Sequence, residues 1–405
     1  MRDVLFLAHR IPYPPNKGDK IRSWNVLRFL ASRYRIHLAC FVDDEDDWQH
    51  VPFLKTVCSE TYFAPLRRTS ALIRSLPGLV DGRALTLLYY YDPDLARWVD
   101  ATLSRLGIER IFVFSSAMAQ YVSGERASSA RRIMDFVDVD SDKWRQYAER
   151  KPWPLNWIYG HESRALLAFE RGVAAAFDLS LFVSQHEADL FRSLAPEVAH
   201  KVLHVNNGVD FRFYAPDQVF ENPYRESAGP GPAPVLTFTG AMDYWANVDA
   251  VTWFVADVFP GIRRRLPDVR FYIVGAKPSA AVRRLARTPG VFVTGRVPDV
   301  RPYLAHATAV VAPLRVARGI QNKVLEAMAM AKAVVATPQA LEGLGAAPGR
   351  EIVVAGGASE FAHAVTALLE ADGDTRRTVG GAARAHVLAH HDWDSELACL
   401  ARILH

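Results

Sequence analysis

Cysteine is scarce. The 405 residues hold three, at positions 40, 58 and 399, with no C-x-x-C pair. A sparse, odd count argues against a disulfide framework or a zinc ribbon and fits a reducing, cytoplasmic compartment. Long apolar runs are also missing. No stretch reaches the ~18 residues of a membrane span. The first residues, MRDVLFLAHRIPYPP, meet His9 and Arg10 after five apolar residues. They read as a first strand and not as a signal peptide. Lysine is rare as well: nine of the 48 basic residues, the rest being arginine. The net charge of +4 is small for this length, and acidic residues are interspersed throughout. That excludes a nucleic-acid-coating protein. There is no G-x-G-x-x-G after a strand, no P-loop, no short repeat and no low-complexity tract. With 50% apolar and 23% charged residues, global disorder is excluded too.

What is present is an alternation of short apolar runs and helical stretches. The length suits two or three domains. The runs 4–8, 36–42, 110–116, 130–138 and 177–184 predict strands, and Ser23 to about Ser32 predicts a helix. Continuous apolar strands separated by helices imply a parallel sheet covered on both faces. The segment 221–234, ENPYRESAGPGPAP, has no periodic pattern and reads as a linker. The alternation then restarts. Strands are predicted over 234–240, 269–275, 291–297, 307–314, 333–338 and 351–355, with a helix over 249–265. The fold class is therefore α/β, with two doubly wound Rossmann-like domains in tandem. Ligands of such sheets sit at the carboxyl ends of the strands, so a cleft between facing strand ends is the expected site.

Two loops after strands draw attention. In PPNKGDKIR (14–22), Gly18 permits a sharp turn and the following helix offers free N–H groups to an anion. A loop glycine among solvated charges would look the same. The second loop is RVARGIQNKVLEAMA (315–329). A helix is predicted from near Gln321, so Ile320, Gln321 and Asn322 would present unpaired amides in or before the first turn. Lys323 stands in that turn, and Glu326 one turn deeper on the same face. Cation and amides at a helix start suit a diphosphate, and the carboxylate suits a ribose diol. An ordinary Lys–Glu pair on an amphipathic helix is the plainer explanation. The D-V-D at 138–140 has metal-binding spacing, but Ser141, Asp142 and Lys143 suggest instead a helix start with a capping Asp.

The stretch GIQNKVLEAMA (319–329), followed by AVVAT (333–337), resembles the donor-nucleotide signature of retaining GT-B glycosyltransferases of family four. FVSQHEADLF (182–191), VNNGVDFRFYAP (205–216), 291–314 and HHDWDSELACL (390–400) resemble further segments of that family, in order along nearly the whole chain. FSSAMAQYV (114–122), DFVDVDSDKWRQYA (135–148) and FTGAMDYWANVDA (238–250) resemble the sugar transferases associated with exosortase (PEP-CTERM) exopolysaccharide clusters. The resemblance implies a GT-B fold. Residues 1–215 would be the acceptor-side domain, 216–385 the donor domain, and 386–405 a helix crossing back to the first. It implies transfer of a hexose, with retention, from a nucleotide-sugar to a glycan or polyprenyl-linked acceptor, without a metal or other cofactor. Lys323 and the amides of Ile320, Gln321 and Asn322 would bind the diphosphate beside Gly319 and Gly240. Glu326 would hold the ribose, and Gly295 and Arg296 would border the base. Gly18, Asp19 and Lys20 would face the transferred sugar and acceptor. A nucleotide-sugar epimerase and a non-catalytic nucleotide-sugar-binding subunit are the alternatives.

Two departures from the family pattern stand out. Arg318 occupies the position of the first Glu of the family's E-x7-E, and the loop 240–249 lacks the usual basic pair. The expectation is that Arg318 supplies the missing diphosphate charge. Ser115–Ser116 stand where many relatives carry a His, which leaves Asp19 or Asp138 to orient the acceptor hydroxyl. Two stretches combine basic and apolar residues: 143–157, with Trp144, Trp153 and Trp157, and 66–83, with Arg67, Arg68, Arg74 and Arg83. Each suits either packing or a peripheral contact with the inner face of the cell membrane. His390–His391 resemble a ligand pair only superficially, since adjacent helical residues point apart.

Overall fold

The computed structural model of the chain describes residues 2–124, 127–224, 233–317 and 319–404. Two compact units make it up: Met1–Asn206 with Leu397–His405, and Asn207–Glu396.

The first unit is built on seven parallel strands: β1 (Asp3–Ala8), β2 (Arg35–Val42), β3 (Glu60–Pro65), β4 (Arg110–Phe114), β5 (Arg131–Val137), β6 (Leu179–Phe182) and β7 (Val202–His204). Their order is β3-β2-β1-β4-β5-β6-β7. Strands β1 and β4 sit at the centre, and nearly every residue in them is buried, as continuous apolar runs require. The strand order reverses between β1 and β4, so the loops after these two strands flank the switch point. Strands β3 and β7 have no counterpart in the apolar pattern. β3 is a half-exposed edge strand ending in Pro65, and β7 has three residues, two of them exposed. Such edges bury too little to leave a pattern.

The first helix starts at Gly18 and runs to Ala31, five residues ahead of the predicted Ser23. Its opening turns carry Asp19, Lys20 and Arg22, which read as loop. Lys20 and Arg22 are in fact buried through ion pairs with Asp47 and Asp135. Polar residues thus occupy core-facing positions, which hides the helical stripe. The helix over Asp140–Arg150 also departs from expectation. Its N-cap position is Val139, which has no side chain able to cap, and the Ser141 amide in the first turn donates instead to Glu170 Oε1 at 3.3 Å.

The second unit has six parallel strands: β8 (Val235–Thr239), β9 (Arg270–Val274), β10 (Val291–Gly295), β11 (Ala309–Ala312), β12 (Val334–Ala336) and β13 (Val353–Val354). Their order, β10-β9-β8-β11-β12-β13, is again doubly wound, with its switch point between β8 and β11. The helix predicted over 249–265 begins at Trp245 and contains a π-helical turn at Phe254–Val258, just before Pro260. Proline has no N–H to give, and the widened turn accommodates it. The core gathers Leu236, Phe238, Phe254, Phe271, Ile273, Val310 and Leu325 between sheet and helices.

The helix Trp393–Ile403 starts in the second unit and ends in the first. Its last turns bury Leu397, Leu400 and Leu404, and Arg110 Nε at the start of β4 donates to the Leu404 carbonyl at 2.6 Å.

Candidate active site

In the second unit, three glycines with positive φ lie at or just past the ends of adjacent strands: Gly240 after β8 (φ 157°), Gly275 after β9 (153°) and Gly295 at the end of β10 (73°). A Cβ on Gly275 would lie 1.7 Å from the Gly240 carbonyl oxygen. One on Gly240 would meet the Asn247 amide nitrogen at 2.7 Å. At Gly275 the backbone leaves no room for a side chain, and at Gly240 one would displace the Asn247 amide that holds Lys323. A Cβ on Gly295 would meet nothing within 4 Å, so the side of β10's last residue where a side chain would project is open. Gly240 N–H donates to Val274 O at 3.0 Å and Gly275 N–H to Gly295 O at 3.2 Å, which locks the three strand ends together.

Across the switch point, Gly319 (φ 57°) turns the chain after β11 into the helix Asn322–Ala329. The N-cap residue is Gln321, whose side-chain amide donates to Gly319 O at 3.0 Å instead of capping. The amides of Asn322 and Lys323 therefore lack an intrahelical acceptor, one position later than the sequence suggested. Ile320 is buried in the core, and the Asn322 carbonyl oxygen Oδ1 accepts from Asn207 Nδ2 at 3.2 Å.

Lys323 Nζ donates to Asn247 Oδ1 at 2.9 Å and lies 5.4 Å from the centre of the Phe238 ring. Asn247 is itself fixed by donating to Ala241 O at 2.9 Å. Burial pushes the Lys323 ammonium down to about 8, against the pull of Glu326. Burial likewise pushes Glu326 up to about 7, opposed by a hydrogen bond from the Tyr214 hydroxyl and by Lys323. Both groups are short of solvation in their charged forms. A ligand that is anionic beside Lys323 and donates hydrogen bonds to Glu326 relieves both. Arg296 is exposed just past Gly295. Arg315 is forked onto Asp249 at 3.0 Å and lies 5.7 Å from the Trp253 ring centre, so its charge is already paired. Arg318 lies outside the described residues.

In the first unit, His9 follows β1 and Ser115 follows β4. Ser115 (φ 76°) and Val137 (φ 71°), the last residue of β5, hold backbone conformations that non-glycine residues rarely adopt. Strain concentrated at strand ends is a mark of a site. The His9 ring stacks on Phe114 at 5.9 Å and meets Tyr90 edge-on at 5.7 Å. Its Nε2 lies 3.3 Å from Asp19 Oδ2. Arg10 pairs with both Asp19 and Asp43. Burial would raise the Asp19 carboxyl, but the His9 hydrogen bond and the Arg10 charge hold it well below the usual carboxylate range. Asp19 is thus a fixed acceptor at neutral pH, while Gly18 is exposed at the first turn.

Lys20 is buried with its ammonium 2.8 Å from Asp47. Asp138 and Asp140 both grip Lys143, at 2.8 and 2.9 Å. Burial opposes the Lys143 charge, yet these two carboxylates hold it well above its ordinary value. The D-V-D spacing is therefore a lysine clamp. Arg22 forks onto Asp135 at 2.9 and 3.2 Å and donates to Val205 O at 2.7 Å, bracing the strand ends from beneath.

Sequence reasoning missed Asn247, Tyr214, Asn207, Gly275 and His9. Asn247 offered a signal, as a lone amide in the apolar stretch WANVDAV. Asn207 and Gly208 belong to N-N-G-V-D, and a Cβ on Gly208 would sit 2.7 Å from the Trp393 amide, which explains the glycine. The histidines near the end of the chain form a structural group: His386 Nε2 and His391 Nε2 both lie 2.9 Å from Leu344 O.

Residues 233–371 match the family model described as glycosyl transferases group 1. No curated protein matches the chain. Among solved structures, sucrose-phosphate synthase from Thermosynechococcus elongatus superposes with a TM-score of 0.72 at 15% identity, covering 100% of this chain and 98% of that one. Anabaena HepE, in complex with UDP-glucose, gives 0.70 at 16% identity over 100% and 99%. WaaG, a glycosyltransferase involved in lipopolysaccharide biosynthesis, gives 0.66 at 14% identity over 99% of each chain. The fold is GT-B, its second unit carries a glycosyltransferase domain, and the chain is a glycosyltransferase of the GT-B type.

Proposed function

We propose that the chain is a retaining hexosyltransferase of family four. It takes a hexose from a nucleotide-sugar and delivers it to a glycan or polyprenyl-linked acceptor in exopolysaccharide assembly, in the manner of the exosortase-associated enzymes, at the cytoplasmic side of the membrane. The observation that carries this is the Lys323–Glu326 pair at the uncapped start of helix Asn322–Ala329. Lys323 and the amides of Asn322 and Lys323 receive the diphosphate. Negative charge grows there as the glycosidic bond to the leaving group breaks, and a fixed cation and amides stabilise it without reorganising. This role needs no metal ion. Glu326, steadied by Tyr214, accepts from the ribose hydroxyls, and the open side of Gly295, next to Arg296, leaves room for the base. Arg318 adds diphosphate charge that residues 240–249 do not supply, since that stretch contributes Asn247, from the first turn of the helix that begins at Trp245, as the partner of Lys323. Asp19, fixed by His9 and Arg10, orients a sugar or acceptor hydroxyl as an acceptor.

Thermal stabilisation against a panel of nucleotide-sugars tests the reading. A donor at 100 times its Kd adds about 2.7 kcal/mol. Lys323→Met should abolish that shift. A shift that survives Lys323→Met would place the diphosphate elsewhere. Isomerised donor with no acceptor present would favour an epimerase, and binding without turnover would favour a binding subunit. Arg318→Ala should weaken donor more than acceptor affinity; the opposite pattern would reject its role.

A further inference from the structure

The two basic-apolar stretches, separate in sequence, meet on one face of the first unit. The chain over 68–89 folds as three short helices, Arg68–Ser75, Gly78–Asp81 and Leu85–Tyr89. The last of these packs on the helix Leu155–Ala176. The Glu162 carboxylate accepts from the amides of Leu85 and Thr86, and His161 Nε2 lies 3.4 Å from Arg83 O. One turn before His161, the Trp157 ring stacks on the His161 ring at 6.2 Å, which puts the start of this long helix beside Arg83.

The amphipathic sense of this surface is inverted. In Arg68–Ser75 the small residues Ala71 and Ser75 face inward, while Leu72 and Ile73 face solvent, as does Leu76 just beyond. A helix covering a core shows the opposite arrangement. Ile73 is 69% exposed, Val80 92%, Trp153 79% and Trp157 52%. The whole run 151–157 is exposed.

The charge is equally lopsided. Residues 66–91 and 150–164 hold seven Arg or Lys against two acidic residues, a net +5, whereas the whole chain carries +4. Both acids are occupied, Asp81 on Arg83 and Glu162 on the two backbone amides. Basic residues interspersed with exposed tryptophan and aliphatic side chains match an anionic lipid surface, with the apolar tips entering the acyl boundary and the cationic groups at the phosphates. We propose that this face docks the protein on an anionic bilayer. It rests on the proposed transfer to a lipid-linked acceptor only for its purpose.

Flotation of the full chain with vesicles tests it, and because no transfer is involved, the result stands apart from that of the donor-binding assay. Vesicles of phosphatidylcholine with phosphatidylglycerol should carry the protein at low salt, and phosphatidylcholine alone should not. High salt should release most of it. The double variant Arg67→Glu, Arg68→Glu should bind at least about tenfold more weakly. Ile73→Asp with Val80→Asp should abolish flotation while the melting temperature stays unchanged, since both side chains point to solvent. Failure to float on the anionic vesicles would overturn the proposal, and so would unchanged binding by either variant. Light scattering that shows a dimer dissolved by Ile73→Asp with Val80→Asp would assign the face to a second copy of the chain and overturn it as well.

Discussion

Lys323 and Glu326 make the unliganded protein's stability depend on pH in two opposite ways. Glu326 titrates near 7 when folded and near 4.5 when unfolded. Between those values the folded state holds a proton that the unfolded state has lost, so stability falls as pH rises through that window. Lys323 titrates near 8 when folded and near 10.5 when unfolded. Between these values the unfolded state holds the extra proton, so stability rises with pH. The pair should therefore contribute a trough centred between 7 and 8, in the range where a diphosphate ligand offers the most relief. Thermal unfolding across pH should show Glu326→Gln flattening the acidic limb and Lys323→Met the alkaline limb. Slopes unchanged in both variants would mean that neither group is desolvated as the structure has it. The spacing of these two residues was legible in the sequence, because both lie on one helix. Their partners were not. Asn247 reaches Lys323 across 76 positions, and Tyr214 comes from the segment that follows N-N-G-V-D.

At the scale of elements, the strands of both sheet centres could be read as unbroken apolar runs because both faces are covered. Where burial is achieved by ion pairing, the pattern failed. The helix Gly18–Ala31 starts with Lys20 and Arg22 facing inward, partnered by residues 27 and 113 positions away, and no local rule anticipates that. Positive-φ glycines at strand ends were legible only in part. Gly240 and Gly295 enter the sequence reading only through the family resemblance, as donor-binding positions, and Gly275 does not enter it, although it is the most constrained of the three. Gly275→Ala drives a methyl to 1.7 Å from the Gly240 oxygen and should cost about 3 kcal/mol or more in urea unfolding. Gly295→Ala, with φ 73° but nothing within 4 Å of the added methyl, should cost about 1–2 kcal/mol. In the proposed donor seat, that same methyl should weaken nucleotide binding beyond its effect on stability. Equal costs for the two substitutions would contradict the close approach of the β8 and β9 ends.

At the scale of the whole molecule, the last residues belong to the unit that the chain left almost 200 positions earlier. Segment Leu397–His405 counts with Met1–Asn206, and its helix begins in the other unit. Leu397, Leu400 and Leu404 are fully buried, and Arg110 at the start of β4 holds the Leu404 carbonyl. The apolar spacing 397, 400, 404 is the i, i+3, i+7 stripe of a helix face laid on a core. Leu400→Ala removes buried methyl groups and should cost about 3 kcal/mol. A substitution near the end of the chain should then loosen strands near its beginning. Hydrogen exchange read by mass spectrometry should show faster exchange in β1 and β4, with β8 and β9 unchanged. Faster exchange confined to β8 and β9 would instead assign the terminal helix to the donor unit. If the first unit loosens alone, the chain's final turns are a closing element of its first sheet, and the two units are tied by two crossings of the backbone, at 206–207 and 396–397.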